Sequence, residues 1–409
     1  MTMTHSNNKL HKSIIFLFIA VNFSYILTYV YHNMEFLILN TVTTISLVLL
    51  HQKSFNYIVR LPLSRWIAFY TVVHLIWILL PHSYATLDDI SDRFISITYL
   101  FTLATLMYFD DDNLSTARKA ILLITLISIF NHILELFIPD AFYADDAIKK
   151  IFGRSSGFYG NATGAGEAII LGMILSYGLV PKHLKVIFLL FALLGVIPTF
   201  SRAAIASWFI VVFILIVTKA IRKKEAVFIG IIIFTLVFVA LPIFIHFLSS
   251  FFGDNAENIL SRLGFFSGNS SVTDASAQSR FSVAKAGFNY FADNPLLGAG
   301  LSFTYHWEFD ISTHNLYLFH MAEFGIIGLF IYPLLLITIL WKAEGEAKRT
   351  GIGFSTFLLI IGFTSHNILD GFHTLLAIAV MAGWVYKSRT KENLEPNVYE
   401  LQPQLRNNL

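Results

Sequence analysis

Long apolar stretches separated by short polar stops run through most of this chain. Hydropathy predicts membrane spans at 13–31, 34–51, 64–81, 92–109, 117–138, 161–180, 184–200, 203–219, 225–249, 312–341, 352–369 and 371–387, because roughly 20 apolar residues make one crossing. The expected fold is therefore all-α: a polytopic integral membrane protein with about twelve transmembrane helices. Residues 1–12 form a cytoplasmic N-terminal segment, and 13–249 hold helices one to nine. One large outside loop, 250–311, carries short amphipathic helices. Residues 312–387 hold helices ten to twelve, and 388–409 form a polar, proline-containing cytoplasmic tail predicted to be disordered. The stretch 312–341 is too long for a simple crossing, so its first turns are expected to stand clear of the bilayer.

One apolar run breaks the pattern. Residues 186–218 are too long for one crossing and too short for two, and they are interrupted by Pro198-Thr199-Phe200-Ser201-Arg202. The run predicts two short spans meeting at or just below one membrane face. Arg202 is thereby drawn into the bilayer edge, where burying a charge costs at least about 2.5–3.5 kcal/mol at the extreme. Such a residue calls for an anionic partner, and short interrupted segments mark binding sites in membrane proteins. The alternative is an arginine that snorkels to the interface from a helix end.

Composition sharpens this picture. Hydrophobic residues make up 56% of the chain, charged residues 13%, and mean hydropathy is +0.67. These values exclude a soluble globular domain. The absence of cysteine excludes disulfides and thiolate chemistry. With both termini cytoplasmic, Arg93, Lys149, Lys150, Arg154, Arg202, Arg262, Arg280 and Lys285 face outside, and the rest of the 28 lysines and arginines face the cytoplasm. The positive-inside rule favours that orientation. Chemistry is then expected outside, and no nucleic-acid partner is expected. The first apolar stretch lacks a small-residue cleavage site and is read as a retained span.

Four constellations could carry chemistry. Ser279-Arg280-Phe281 opens a stretch with Phe281, Ala284, Phe288 and Phe291 at helical spacing and Arg280 and Lys285 off that stripe. This is the pattern of an amphipathic helix on a membrane surface. There Arg280 could touch a headgroup or a substrate. His314, in Thr313-His314-Asn315-Leu316-Tyr317, lies where a general base could work, although a capping or interfacial histidine has the same signature. Glu323 falls about 180° around an ideal helix from His314, so a contact with a second helix is expected for it. Arg154 precedes a glycine-rich stretch running through Asn161 to Gly164, whose amides could face an anion. Finally, His366, Asn367 and Asp370 could line the same cavity. Asp110-Asp111-Asp112 reads as helix capping rather than a metal site.

In their order, these motifs resemble the O-antigen ligase and polymerase superfamily of bacterial envelope enzymes. The resemblance rests on Phe200-Ser201-Arg202-Ala203-Ala204, on Ser279-Arg280 leading to Asn294-Pro295-Leu296-Leu297-Gly298-Ala299-Gly300, on His314-Asn315-Leu316-Tyr317 with Glu323-Phe324-Gly325-Ile326-Ile327-Gly328, and on Asn161-Ala162-Thr163-Gly164. It covers about 154–330. It implies metal-independent, inverting glycosyl transfer without a cofactor, on the periplasmic face of a Gram-negative inner membrane. The donor would be a glycan on undecaprenyl pyrophosphate. The acceptor would be a sugar hydroxyl of lipid A-core in a ligase, or a second lipid-linked repeat in a polymerase. Arg202 and Arg280 would hold the pyrophosphate, since guanidinium forks suit phosphate oxygens. His314 would take the hydroxyl proton, and Arg154, Asn161 and Asn315 would line the substrate. A ligase is the first reading and a polymerase the second. A lipid-linked oligosaccharide flippase is the alternative from another class, disfavoured because internal repeats are not evident and the polar groups gather at one face.

Overall fold

The computed structural model describes residues 5–25, 38, 41–42, 45–46, 59–80, 83–109, 111–138, 154–159, 161–235, 275–309 and 311–392. Every regular element among them is helical: α1 His5–Ser24, α2 Pro62–Ile78, α3 Leu87–Phe109, α4 Asp111–Phe137, α5 Ala162–Ser176, α6 Lys185–Val196, α7 Arg202–Val217, α8 Lys223–Thr235, α9 Ala275–Asp293, α10 Leu316–Phe324, α11 Ile326–Leu340, α12 Gly345–Ile361 and α13 Phe372–Glu392.

The all-α expectation holds, but the count of about twelve membrane helices does not. Among the described residues, three helices are long and apolar enough to cross a membrane: Asp112–Glu135, Ala162–Leu179 and Lys182–Thr199. Leu10–Ser24, Arg202–Val217 and Ile326–Leu340 are apolar but shorter. The physical reasons differ from place to place. The expected span 312–341 is cut in two at Gly325, whose backbone (φ 60°, ψ −139°) ends α10 and turns the chain into α11. Helix α3 carries Asp88, Asp89, Asp92 and Arg93 in its first turns. Helix α12 stops at Ile361, before a short 3₁₀ turn at Asn367–Leu369. Residues 236–274, which include the end of the ninth expected span and the start of the outside loop, and most of 34–51 lie outside the described residues.

The helices bury one large apolar core, with a small separate cluster at Tyr159, Ala165 and Ala168. Helix α4 packs on α1, α5 and α6, α13 on α3, α12 on α7, α11 on α2, and α9 on α10. Fully buried aromatic side chains, among them Trp208, Tyr99, Tyr332, Phe354 and Phe357, fill the seams between helices. Apolar side chains such as Phe130, Phe213 and Phe330 remain exposed. In water they would be a liability; against lipid they are matched to their surroundings.

Two of the sequence motifs interlock. The turn after α9 lies against the α10–α11 junction: Ala299 N donates to Ala322 O (2.7 Å), Gly300 N to Glu323 O (3.3 Å) and Ile326 N to Pro295 O (2.8 Å). Gly298 has φ +72°, and a Cβ there would lie 2.5 Å from the Glu323 carbonyl carbon, so the approach requires glycine. This clasp fixes α9 relative to the helix that follows His314.

Candidate active site

The break in the apolar run builds one wall of a polar cavity. Phe200 takes a left-handed conformation (φ 45°), and Ser201 caps α7 by accepting from Ala204 N at 3.4 Å. Arg202 is thereby the first residue of a helix whose N-terminal dipole favours an anion. Beneath the break, Ser201 N donates to Thr199 Oγ1 (3.2 Å), which donates to Val196 O (2.7 Å).

The Arg154 segment is fastened onto the same break. Arg154 Nε donates to Thr199 O (2.8 Å), and Ser155 N to Pro198 O (2.9 Å). From below, the buried Glu135 carboxylate accepts from Ser155 Oγ, Ser156 N (3.2 Å) and Gly157 N (2.9 Å). A carboxylate holding two backbone amides and a hydroxyl fixes the turn that presents Arg154.

These elements converge on one cavity lined by Arg154, Thr163, Phe200, Ser201, Arg202, Ala203, Arg280 and Thr364. It encloses about 380 Å³ of non-protein space, part of it open to solvent. Three arginines line this space, and no carboxylate is among its described lining residues. Such a space selects for an anion with several oxygens. Asn161 and Asn315 are not among the lining residues. Each instead caps a helix: Asn161 Oδ1 accepts from Thr163 N (2.8 Å) at α5, and Asn315 Oδ1 from Leu318 N (3.1 Å) at α10.

His314 sits one step from the arginines. It precedes α10 in a left-handed conformation (φ 50°), half-buried. Burial, and then the Arg280 charge, hold its imidazole below the ordinary value of 6.5. It is thus neutral and able to accept a proton at neutral pH. Its segment is pinned on both sides, since Gly287 of α9 packs against Thr313 and Leu316 N donates to Gly362 O (2.8 Å). The His366 ring lies 5.4 Å away, edge to face at 73°.

Glu323 does not join this cavity. It meets Arg93 of α3, which donates from Nη2 to Glu323 Oε1 at 2.8 Å, with the two side chains 8% and 0% exposed. Arg93 Nη1 lies 3.2 Å from His74 Nε2, and the Arg93 guanidinium covers the Phe319 and Tyr305 rings at 5.2 and 5.7 Å. The sequence held one clue to this pair, the single acidic residue Glu323 inside the otherwise uncharged α10.

A helical, membrane-associated protein with an arginine-lined cavity beside a neutral histidine is the class that fold and site define. Residues 187–332 match the family model described as O-antigen ligase. Over that stretch the chain is similar to the O-antigen ligase/polymerase-like superfamily, a likeness that favours glycan transfer of that general type. The matched residues contain Arg202, Arg280, His314 and Glu323; Arg93 and Arg154 lie outside them. No curated protein matches the chain.

Proposed function

We propose that this protein is an O-antigen ligase. It moves a glycan from undecaprenyl pyrophosphate to a sugar hydroxyl of lipid A-core at the periplasmic face of the inner membrane. The observation that carries the reading is the convergence of Arg154, Arg202 and Arg280 on one cavity beside His314. The likeness to O-antigen ligases supports the periplasmic assignment.

The chemistry follows from charge. Arg202 and Arg280, with Arg154 behind them, neutralise the pyrophosphate of the donor and stabilise the negative charge that grows on it as the anomeric C–O bond breaks. The acceptor oxygen attacks the anomeric carbon from the opposite face and inverts it. His314 takes the proton as the hydroxyl O–H bond breaks, and the bonding electrons of the old glycosidic link leave with the pyrophosphate. Positive charge that leaving-group departure requires is supplied here by guanidinium forks.

Reconstitution tests this. Purified protein in liposomes with a lipid-pyrophosphate-linked glycan and lipid A-core is expected to yield glycosylated core, and R202A and R280A to yield almost none. Transfer at parental rate by both variants would overturn the reading. A lipopolysaccharide gel from a strain lacking the gene separates the acceptors: core without polymer marks a ligase, whereas core capped by one repeat marks a polymerase.

A further inference from the structure

His366 belongs to none of the motifs that carry the proposed reaction, yet it is the aromatic neighbour of His314. It sits in the connector between α12 and α13, where Thr364, two residues earlier, lines the arginine cavity. On its other side lie the rings of Phe319 (5.9 Å, 36°) and Tyr305 (6.4 Å, 59°). In this aromatic nest a phenylalanine would fill the same space with no polar atom to satisfy. The imidazole instead leaves Nδ1 buried without a hydrogen-bond partner among the described residues. A buried ring nitrogen without a partner is destabilising, so its presence needs a reason.

The reason lies in what His314 must become. Accepting a proton makes it an imidazolium in a half-buried site already facing the Arg280 cation. The titratable and charged groups facing His314 among the described residues are Arg280 from α9 and His366 from the connector; His366 in turn faces Tyr305. Arg280 opposes the charge. His366 is the neighbour that can support it, by offering a nitrogen lone pair to the new N–H.

We propose that His366 is a positioning residue that stabilises the protonated form of His314 during transfer. This rests on the assignment of His314 as the base. The proton leaves the acceptor hydroxyl and bonds to a ring nitrogen of His314. The imidazolium then holds its N–H toward His366, which stays neutral, until the proton is released to solvent. One proton moves, and no other bond is made or broken at His366.

Two measurements on full-length protein test it. The first is the titration of His314 by NMR of histidine-labelled protein in detergent, with its signal assigned from H314N. In H366F the His314 pKa is expected to fall by about half a unit or more, and in H366Q, whose amide oxygen still accepts, to stay near the parent. The second is the pH–rate profile of transfer in liposomes. H366F is expected to lose about tenfold or more in kcat with donor KM unchanged, its acid limb displaced to lower pH, and H366Q to recover most of the rate. An unmoved His314 titration, or a loss of rate with the acid limb in place, overturns the proposal. A fully active H314N overturns the base assignment itself and is told apart because it requires no change at position 366.

Discussion

Arg93 and Glu323, 230 positions apart, form a buried ion pair at 2.8 Å that joins α3 to α10. The pair extends through His74 and Tyr70, whose hydroxyl lies 3.4 Å from His320 Nε2. Because Glu323 also belongs to the clasp that holds the turn after α9, the pair links α3 to the segments carrying Arg280 and His314.

Removing one partner leaves the other buried without its counter-charge. R93M and E323L are each expected to lower stability by about 3–5 kcal/mol, and the double variant by much less. Thermal unfolding of the detergent-purified protein measures this. Single variants that melt with the parent would show that the charges are already compensated by other groups.

Loss of a guanidinium from the cavity is expected to reduce transfer by about 10²–10³-fold, the range for removal of one charge-stabilising donor. R280K keeps the charge but not the planar fork, so its rate should fall between R280A and the parent. Initial rates in liposomes at saturating acceptor decide it.

Acid sensitivity has a definite sign. His314 acts as the neutral base, and burial together with Arg280 holds its pKa below the ordinary value. The midpoint of the acid limb should therefore lie below the 6.5 of an ordinary imidazole. In R280Q one of the two opposing influences is gone, so the acid limb should move to higher pH even as the rate drops. A limb that stays in place in R280Q would mean that the titrating base is not His314.

Gly298 carries the clasp. G298A combines a left-handed backbone, about 1–2 kcal/mol unfavourable for an L-residue, with a clash against the Glu323 backbone. The variant should unfold at lower temperature and lose transfer, although it lies outside the arginine cavity. A parental melting temperature would show that the turn can open without loss.

The chain's own pattern was informative where the physics is local. Apolar segments long enough to be helices and the interruption before Arg202 depend on residues within a few positions of one another, whereas Asn161 and Asn315, expected from the sequence to line the substrate, cap helices instead. The count of membrane helices was not legible, because hydropathy averages over a window and does not register that Gly325 reverses direction inside an apolar stretch. Likewise, 352–369 reads as one apolar run, yet α12 ends at Ile361 and the residues after it turn toward the cavity.

By itself the sequence determined an all-helical, membrane-associated chain and the order of its polar motifs, since both follow from composition and short-range spacing. Only the tertiary structure decided which charges meet. It set Arg154, Arg202 and Arg280 around one space, paired Arg93 with Glu323, and placed His366 beside His314. No periodicity along the chain encodes those meetings, because buried charges and rings are matched by the packing of helices that are distant in sequence.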